Sequence, residues 1–393
     1  MPVYDPSKPT VPTARRRFLA LSARAAMAAG LAPLVHAAAG ALADRGPRVI
    51  GTLPFVGEGA FPVERTLGDG LGRRRALDLS TLSASALVVP QARFFIRTAG
   101  PDHLPSARTW KVRVHGLVEA PVEIAAEELQ REAVPLGLHL LECAGNSRAA
   151  HFGLMSAAHW AGVPLGPLVE RARPTVRASQ VLVSGFDEHE VGDPGSVPGA
   201  SWVFGRHHLR DAFLATGMNG APLALDHGHP VRLVVPGWYG CTAIKWVNEI
   251  ALVDGEAAAT DQMREYAGRT QQAEGAALAR DFQPATIDPA ALPVRVEKLD
   301  AGGGRVSYRI VGILWGGPTP PLDLRIRFDP GPGFAAVEEI GRAAGTWALW
   351  SHTFRPRVPG RYRIELAIKD PGTRTRRLDM GFYTREVDVT TPS

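Results

Sequence analysis

The chain has 393 residues, 45% of them hydrophobic and 21% charged, with a formal net charge of +5. Lys8, Arg15, Arg16, Arg17 and Arg24 against Asp5 place +4 of that charge in residues 1–43 and leave +1 for the rest. A near-neutral body lacks the phosphate-neutralising surface that nucleic-acid binding needs, and two cysteines in a chain this size exclude a disulfide-stapled scaffold.

The N-terminal stretch "TARRRFLALSARAAMAAGLAPLVHAAAGALA" combines an arginine run, a long Ala/Leu-rich segment and the small-x-small site Ala41-Leu42-Ala43. "RRRFL" fits a twin-arginine signal with Arg15 and Arg16 as the pair, so residues 1–43 are read as an export signal and the mature protein as periplasmic. Gly30, Pro33 and His36 interrupt the segment, which favours a cleaved signal over a retained anchor and predicts no stable membrane insertion after cleavage. Such a route carries proteins already folded, often around a cofactor loaded in the cytoplasm.

Residues 44–92 are Gly- and Arg-rich with weak periodicity and read as an irregular arm. From 93 to 255, short apolar runs such as "RFFIR", "KVRVHGLV", "LGLHLLE", "QVLVSGF", "PVRLVVPG" and "KWVNEIALV" alternate with Gly/Pro turns. The stretches "EELQREA" and "LGPLVERA" predict helices between them, and no GxGxxG follows a strand. Residues 256–290 read as a solvated connector with one or two helices. From 291 to 393, period-two runs including "VSYRIVGILWGG", "LDLRIRFD" and "GRYRIELAIKD" predict an immunoglobulin-like β-sandwich. The fold class expected is therefore α+β, a mixed α/β domain followed by a β-sandwich domain.

Two places carry chemistry. Cys143 ends the apolar run "LHLLECAGNSR", where a strand meets a Gly-Asn turn, with Arg148 five residues on. A cationic neighbour favours the thiolate, which ligates metals or attacks electrophiles. Neither cysteine has a CxxC or CxxCH context, so one thiolate could hold a metal only if a cofactor brings the other donors. His139, His151 and His159 are candidate partners for a Cys-His nucleophile, and none is placed distinctively. The second place is "LDHGHPVRLVVPGWYGCTAIKW", where His227, Arg232 and Lys245 around a Gly-rich turn suggest an anion or phosphate site.

These segments resemble the sulfite oxidase family of mononuclear molybdenum enzymes. "ECAGNSR" is similar to the family's Cys-Ala-Gly-Asn-x-Arg segment. "ATGMNGAPLALDHGHPVRLVVPGWYG…IKW" is similar to its Met-Asn-Gly…Asp-His-Gly-x-Pro-Val-Arg…Lys-Trp run. The resemblance implies molybdenum held by one molybdopterin, with Cys143 as the protein ligand. It implies Arg97 at the active-site arginine, His103 at a cofactor histidine and Asp187 at a pterin contact. Asn146 follows as a further cofactor residue, His227, Arg232, Ala243, Ile244 and Lys245 as the pterin-phosphate site, and Arg148 as a pocket wall. Arg342, in the β-rich tail that resembles the family's dimerisation domain, is the counterpart of an arginine added to the substrate pocket.

Two departures put sulfite itself in question: Thr216 stands where the family's animal and plant sulfite oxidases have a tyrosine, and a lysine after the cysteine segment has no counterpart. The implied activity is oxygen-atom transfer to sulfite or a related small oxyanion. No haem is expected on this chain, so electrons would pass to an external acceptor, most simply a c-type cytochrome, from a homodimer. A sulfane-sulfur dehydrogenase subunit, another oxo-transfer enzyme of the family, and a cofactor-free binding module on the same fold are the alternatives.

Overall fold

The computed structural model describes residues 47–98, 100–101, 103–185, 200–300, 302–317 and 323–390; the signal segment and Asp187 lie outside them. Along the chain the arm supplies β1 (Arg48–Leu53) and β2 (Arg74–Arg75), followed by β3 (Ile96–Arg97), β4 (Lys111–Gly116) and β5 (Val122–Ala125). Helix α1 (Ala126–Glu132) leads to β6 (Val134–Glu142) and β7 (Met155–Pro164), then α2 (Leu165–Glu170), β8 (Gln180–Gly185) and β9 (Ser201–Gly205). Next come β10 (Phe213–Met218), β11 (Ala221–Pro222), β12 (Arg232–Val234), β13 (Val247–Val253) and the short α3 (Asp261–Glu265).

The remainder is almost wholly strand: β14 (Ala290–Asp300), β15 (Val306–Trp315), β16 (Leu324–Asp329), β17 (Ala335–Ala336), β18 (Glu338–Ala343), β19 (Trp347–Phe354) and β20 (Gly360–Ile368). Helix α4 (Arg376–Asp379) precedes the last strand, β21 (Arg385–Val389). The α-helices of the described residues number 7, 6, 5 and 4 residues, so sheet dominates even where a mixed α/β domain was expected. Both sequence-predicted helices are present but short, because Pro164 leads straight into the one and Val134 starts a strand directly after the other.

Five sheets result. One has the order β11-β10-β7-β6 with β12 also on β10; a second runs β5-β4-β13-β8-β9, where β13 is parallel to β4 and antiparallel to β8. These two share one large apolar core that includes the buried aromatic residues Phe94, Trp160, Trp202 and Trp246. Toward the C-terminus, β1-β14-β15-β19-β18 and β17-β16-β20-β21 enclose a second core of Val296, Ile310, Leu314, Ile326, Phe328 and Ile364. The period-two text of "LRIRFD" follows from this: alternate residues of β16 are buried and half-exposed. β1, read from sequence as part of an irregular arm, forms an edge strand against β14. The fifth sheet is the two-residue ribbon β2–β3, which sets Arg74 opposite Arg97.

Candidate active site

The chain after β6 turns back on itself. Cys143 accepts from the backbone N–H of Asn146 (2.9 Å) and donates its own N–H to Leu154 (2.9 Å), while Asn146 Oδ1 accepts from the Leu154 N–H at 3.0 Å. Asn146 is buried, works as the brace of this loop and does not line the cavity beside Cys143. His151 and Phe152 both take left-handed backbone (φ 48° and 58°), an uncommon conformation that reverses the chain toward β7.

Cys143 lines a cavity shared with Arg97, Arg232, Ala243, Ile244 and Lys245, residues separated by up to 148 positions in sequence. Arg232 is 4% exposed and, among the described residues, has no carboxylate partner; its guanidinium donates to the carbonyls of His227 (3.0 Å) and Ala243 (3.1 Å). Burial lowers its pKa to about 10. The Nε of Arg232 and Nη1 of Arg97 are buried without any hydrogen-bond partner. Lys245 donates to the Thr98 hydroxyl and the Asp226 carbonyl. Gly228 makes this convergence possible. It has φ 100°, and a Cβ there would stand 2.9 Å from Arg232 Cβ and 3.2 Å from Lys245 Cβ.

His227 lies behind these cations rather than in the cavity lining. It is 1% exposed, its Nε2 bonds the Gln91 carbonyl at 3.1 Å, and its ring meets Phe94 edge-on at 5.5 Å. Burial, with Lys245 and Arg232 adding, lowers its pKa from 6.5 to about 4. A His with a depressed folded pKa stays neutral in the native state while the unfolded chain takes a proton. Stability from this group is complete above pH 6.5 and is lost as pH falls toward 4, by about 3 kcal/mol in all. We therefore expect His227→Gln to show a shallower loss of unfolding free energy than the parent between pH 6.5 and 4, measured by urea titration. Parallel profiles would contradict it.

Burial also pushes the Cys143 thiol up, against the Gly145 N–H and the charges of Arg97 and Arg269. The cation expected from sequence to favour the thiolate, Arg148, is turned away: it is exposed and donates to the Thr384 carbonyl. Arg342 sits on β18, ion-paired to Glu339, and His103 is exposed in the loop after β3; neither lines the cavity. Thr216 is buried within β10 and likewise does not line it.

Several residues of the site escaped the sequence reading. Tyr266 and Gln262, from the segment read as a connector, line the cavity, and Tyr266 is only 4% exposed. The signal was available: Ala259, Met263, Tyr266 and Thr270 recur at spacings of four, three and four, the stripe of a segment with one buried face. A cavity tyrosine is thus present, contributed from position 266 and not 216. Glu142, fully buried, accepts from Trp315 Nε1 at 2.8 Å, and Arg377 donates to the carbonyls of Ala144 (3.1 Å) and Arg269 (2.8 Å). Burial raises the Glu142 pKa, opposed chiefly by Arg377. The C-terminal strands and α4 therefore brace the Cys143 loop from behind.

Cys241 also lines the cavity and is a free thiol, as is Cys143. Among the described residues no three His, Cys, Asp or Glu side chains converge as a metal site. The donor set thus fits a metal-bearing anionic cofactor: one thiol for the metal, and buried guanidinium N–H groups left open for oxyanions.

A family model described as an oxidoreductase molybdopterin binding domain matches residues 99–260. Sulfite oxidase from Gallus gallus is 30% identical over 324 residues, covering 73% of this chain and 66% of that protein. The NADPH nitrate reductase of Mycosarcoma maydis is 31% identical over 209 residues, 45% of this chain; the chain spans only 21% of that enzyme's length. Among solved structures, the sulfane dehydrogenase SoxCD from Paracoccus pantotrophus superposes with a TM-score of 0.60 at 18% identity, covering 84% of this chain and 80% of that one. The chain carries an oxidoreductase molybdopterin binding domain and belongs to the sulfite oxidase family of molybdopterin enzymes.

Proposed function

We propose that the protein binds molybdenum-molybdopterin and oxidises sulfite or a related sulfur oxyanion, passing electrons one at a time to an external acceptor. The observation that carries this reading is the buried Cys143 thiol in one cavity with the unpaired N–H groups of Arg97 and Arg232. When bound, the molybdenum cofactor supplies a centre able to exchange an oxygen atom and two electrons. Cys143 would tether the metal through its sulfur, and loss of the thiol proton to a cationic centre would offset the upward push of burial. Arg232 and Lys245 would hold the pterin's phosphate at the deep end, where a preformed cationic site with satisfied backbone partners costs little reorganisation. Arg97, with a buried N–H left open, is suited to orient a substrate oxyanion, and Tyr266 to donate a hydrogen bond beside it.

The fold likeness to SoxCD favours a second reading within the same chemistry, a sulfane-sulfur dehydrogenase subunit working with a partner. Export by the twin-arginine route, a c-type cytochrome acceptor and a homodimer belong to the proposal as well. The test is molybdenum and pterin analysis of purified protein, combined with sulfite-dependent reduction of ferricyanide or cytochrome c. Absence of molybdenum after expression in a cofactor-competent host would overturn the enzyme's proposed cofactor. Molybdenum without sulfite turnover would favour the sulfane-sulfur reading.

A further inference from the structure

The cations of the site fall into two groups. Arg232 and Lys245 are the charges that act on His227, at the deep end. Arg97 and Arg269 instead act on Cys143 and Tyr266, while Arg74 is coupled to Arg97 and Tyr266. Cross-strand register places Arg74 directly opposite Arg97. The Arg269 guanidinium lies over the Tyr266 ring, 5.4 Å from its centre. A Cβ built on Gly145 would stand 3.3 Å from Arg269 Nη1 and 3.7 Å from Cys143 Sγ, so this guanidinium reaches the thiol's immediate surroundings.

Among the described residues, none of Arg74, Arg97 and Arg269 is ion-paired to a carboxylate, although arginines elsewhere commonly are. Arg74 and Arg269 are exposed and Arg97 is half-buried. Three like charges kept together without a counterion repel, and the charge of Arg97 is the foremost cause lowering the Arg74 pKa. Such an arrangement is stabilised when a multiply charged anion enters between the guanidinium groups. Arg74 comes from the arm and Arg269 from beyond α3, both outside the residues 99–260 that match the molybdopterin domain.

We infer that Arg74 and Arg269 form, with Arg97, a substrate-binding mouth selective for a small dianion such as sulfite over singly charged or neutral oxo-acceptors. This rests on the proposed sulfur-oxyanion chemistry and names the residues that select the charge of its substrate.

The test uses the cofactor-loaded full chain and inorganic sulfate, a non-reacting dianion, by isothermal titration calorimetry. Arg74→Gln and Arg269→Gln should each weaken sulfate binding roughly tenfold, the double variant roughly a hundredfold, and Arg269→Lys much less than Arg269→Gln. KM for sulfite should rise in step while kcat stays within about threefold, with molybdenum and pterin content unchanged. Parent-like sulfate affinity in the double variant would overturn the inference, as would a fall in kcat at constant KM. If the parent binds no sulfate and turns over no sulfite despite full molybdenum, the underlying reading fails and the inference with it.

Discussion

Cys143→Ser should retain its pterin yet lose sulfite-dependent ferricyanide reduction by more than about 100-fold, beyond the roughly 10–100-fold that removal of an outer hydrogen-bonding partner of a metal ligand costs. Cys143 is the thiol at the end of β6, and its backbone bonds to Asn146 and Leu154, with the Asn146 side chain, hold the loop without using its sulfur. Serine is nearly isosteric, so the fold and the deep cationic end survive. Arg232 and Lys245 hold their places through carbonyl bonds that do not involve residue 143. What changes is the donor, because an alcohol resists deprotonation far more than a thiol does. Molybdenum by mass spectrometry and pterin by fluorescence, alongside turnover, separate loss of cofactor from loss of chemistry. Turnover within tenfold of the parent would show that Cys143 is not the tether.

Glu58→Ala should lower unfolding free energy by about 3–5 kcal/mol, the largest stability effect expected of a single exchange here. Glu58 and Arg385 form an ion pair with side chains only 6% and 4% exposed, bidentate at 2.6 and 2.9 Å. Arg385 also donates to the Pro293 carbonyl at 2.6 Å and lies 4.3 Å from the centre of the Phe55 ring. Removing the carboxylate leaves a guanidinium buried against aromatic rings with part of its charge uncompensated, and burial already lowers its pKa. Glu58→Ala/Arg385→Met should recover much of the loss, since the pair itself offsets its desolvation only narrowly. Denaturant unfolding measures both. A loss below about 1 kcal/mol for Glu58→Ala would place the pair among ordinary surface bridges.

That pair shows why the arm was hard to read. Residues 47–92 show weak periodicity because they are fastened by contacts far away in the chain: the β1–β14 ladder, Glu58 to Arg385, Arg74 across from Arg97. Such contacts join residues up to 327 positions apart and leave no repeating trace in local text. The connector failed differently. Its buried stripe was visible, but a short helix with exposed Arg264 and Glu265, followed by exposed Arg269, reads as solvated when its charges are counted alone.

By itself the sequence determined C-terminal strands such as β16 and β21, because one face buried in a core and the other open imposes period two on them. It determined the thiol at the end of β6 and the Arg232–Lys245 pair, because Gly228 and the apolar run of β6 each demand a local geometry. Only the tertiary structure decided which side chains meet the thiol. Arg148, five residues away, is exposed and donates to the Thr384 carbonyl instead. Tyr266 and Arg269 are brought in from more than 120 positions downstream, and Arg97 from 46 positions upstream. Spacing in a sequence sets direction only within one element; which residues converge on a cavity depends on turn dihedrals and on how sheets pack, and both depend on contacts far away in the chain.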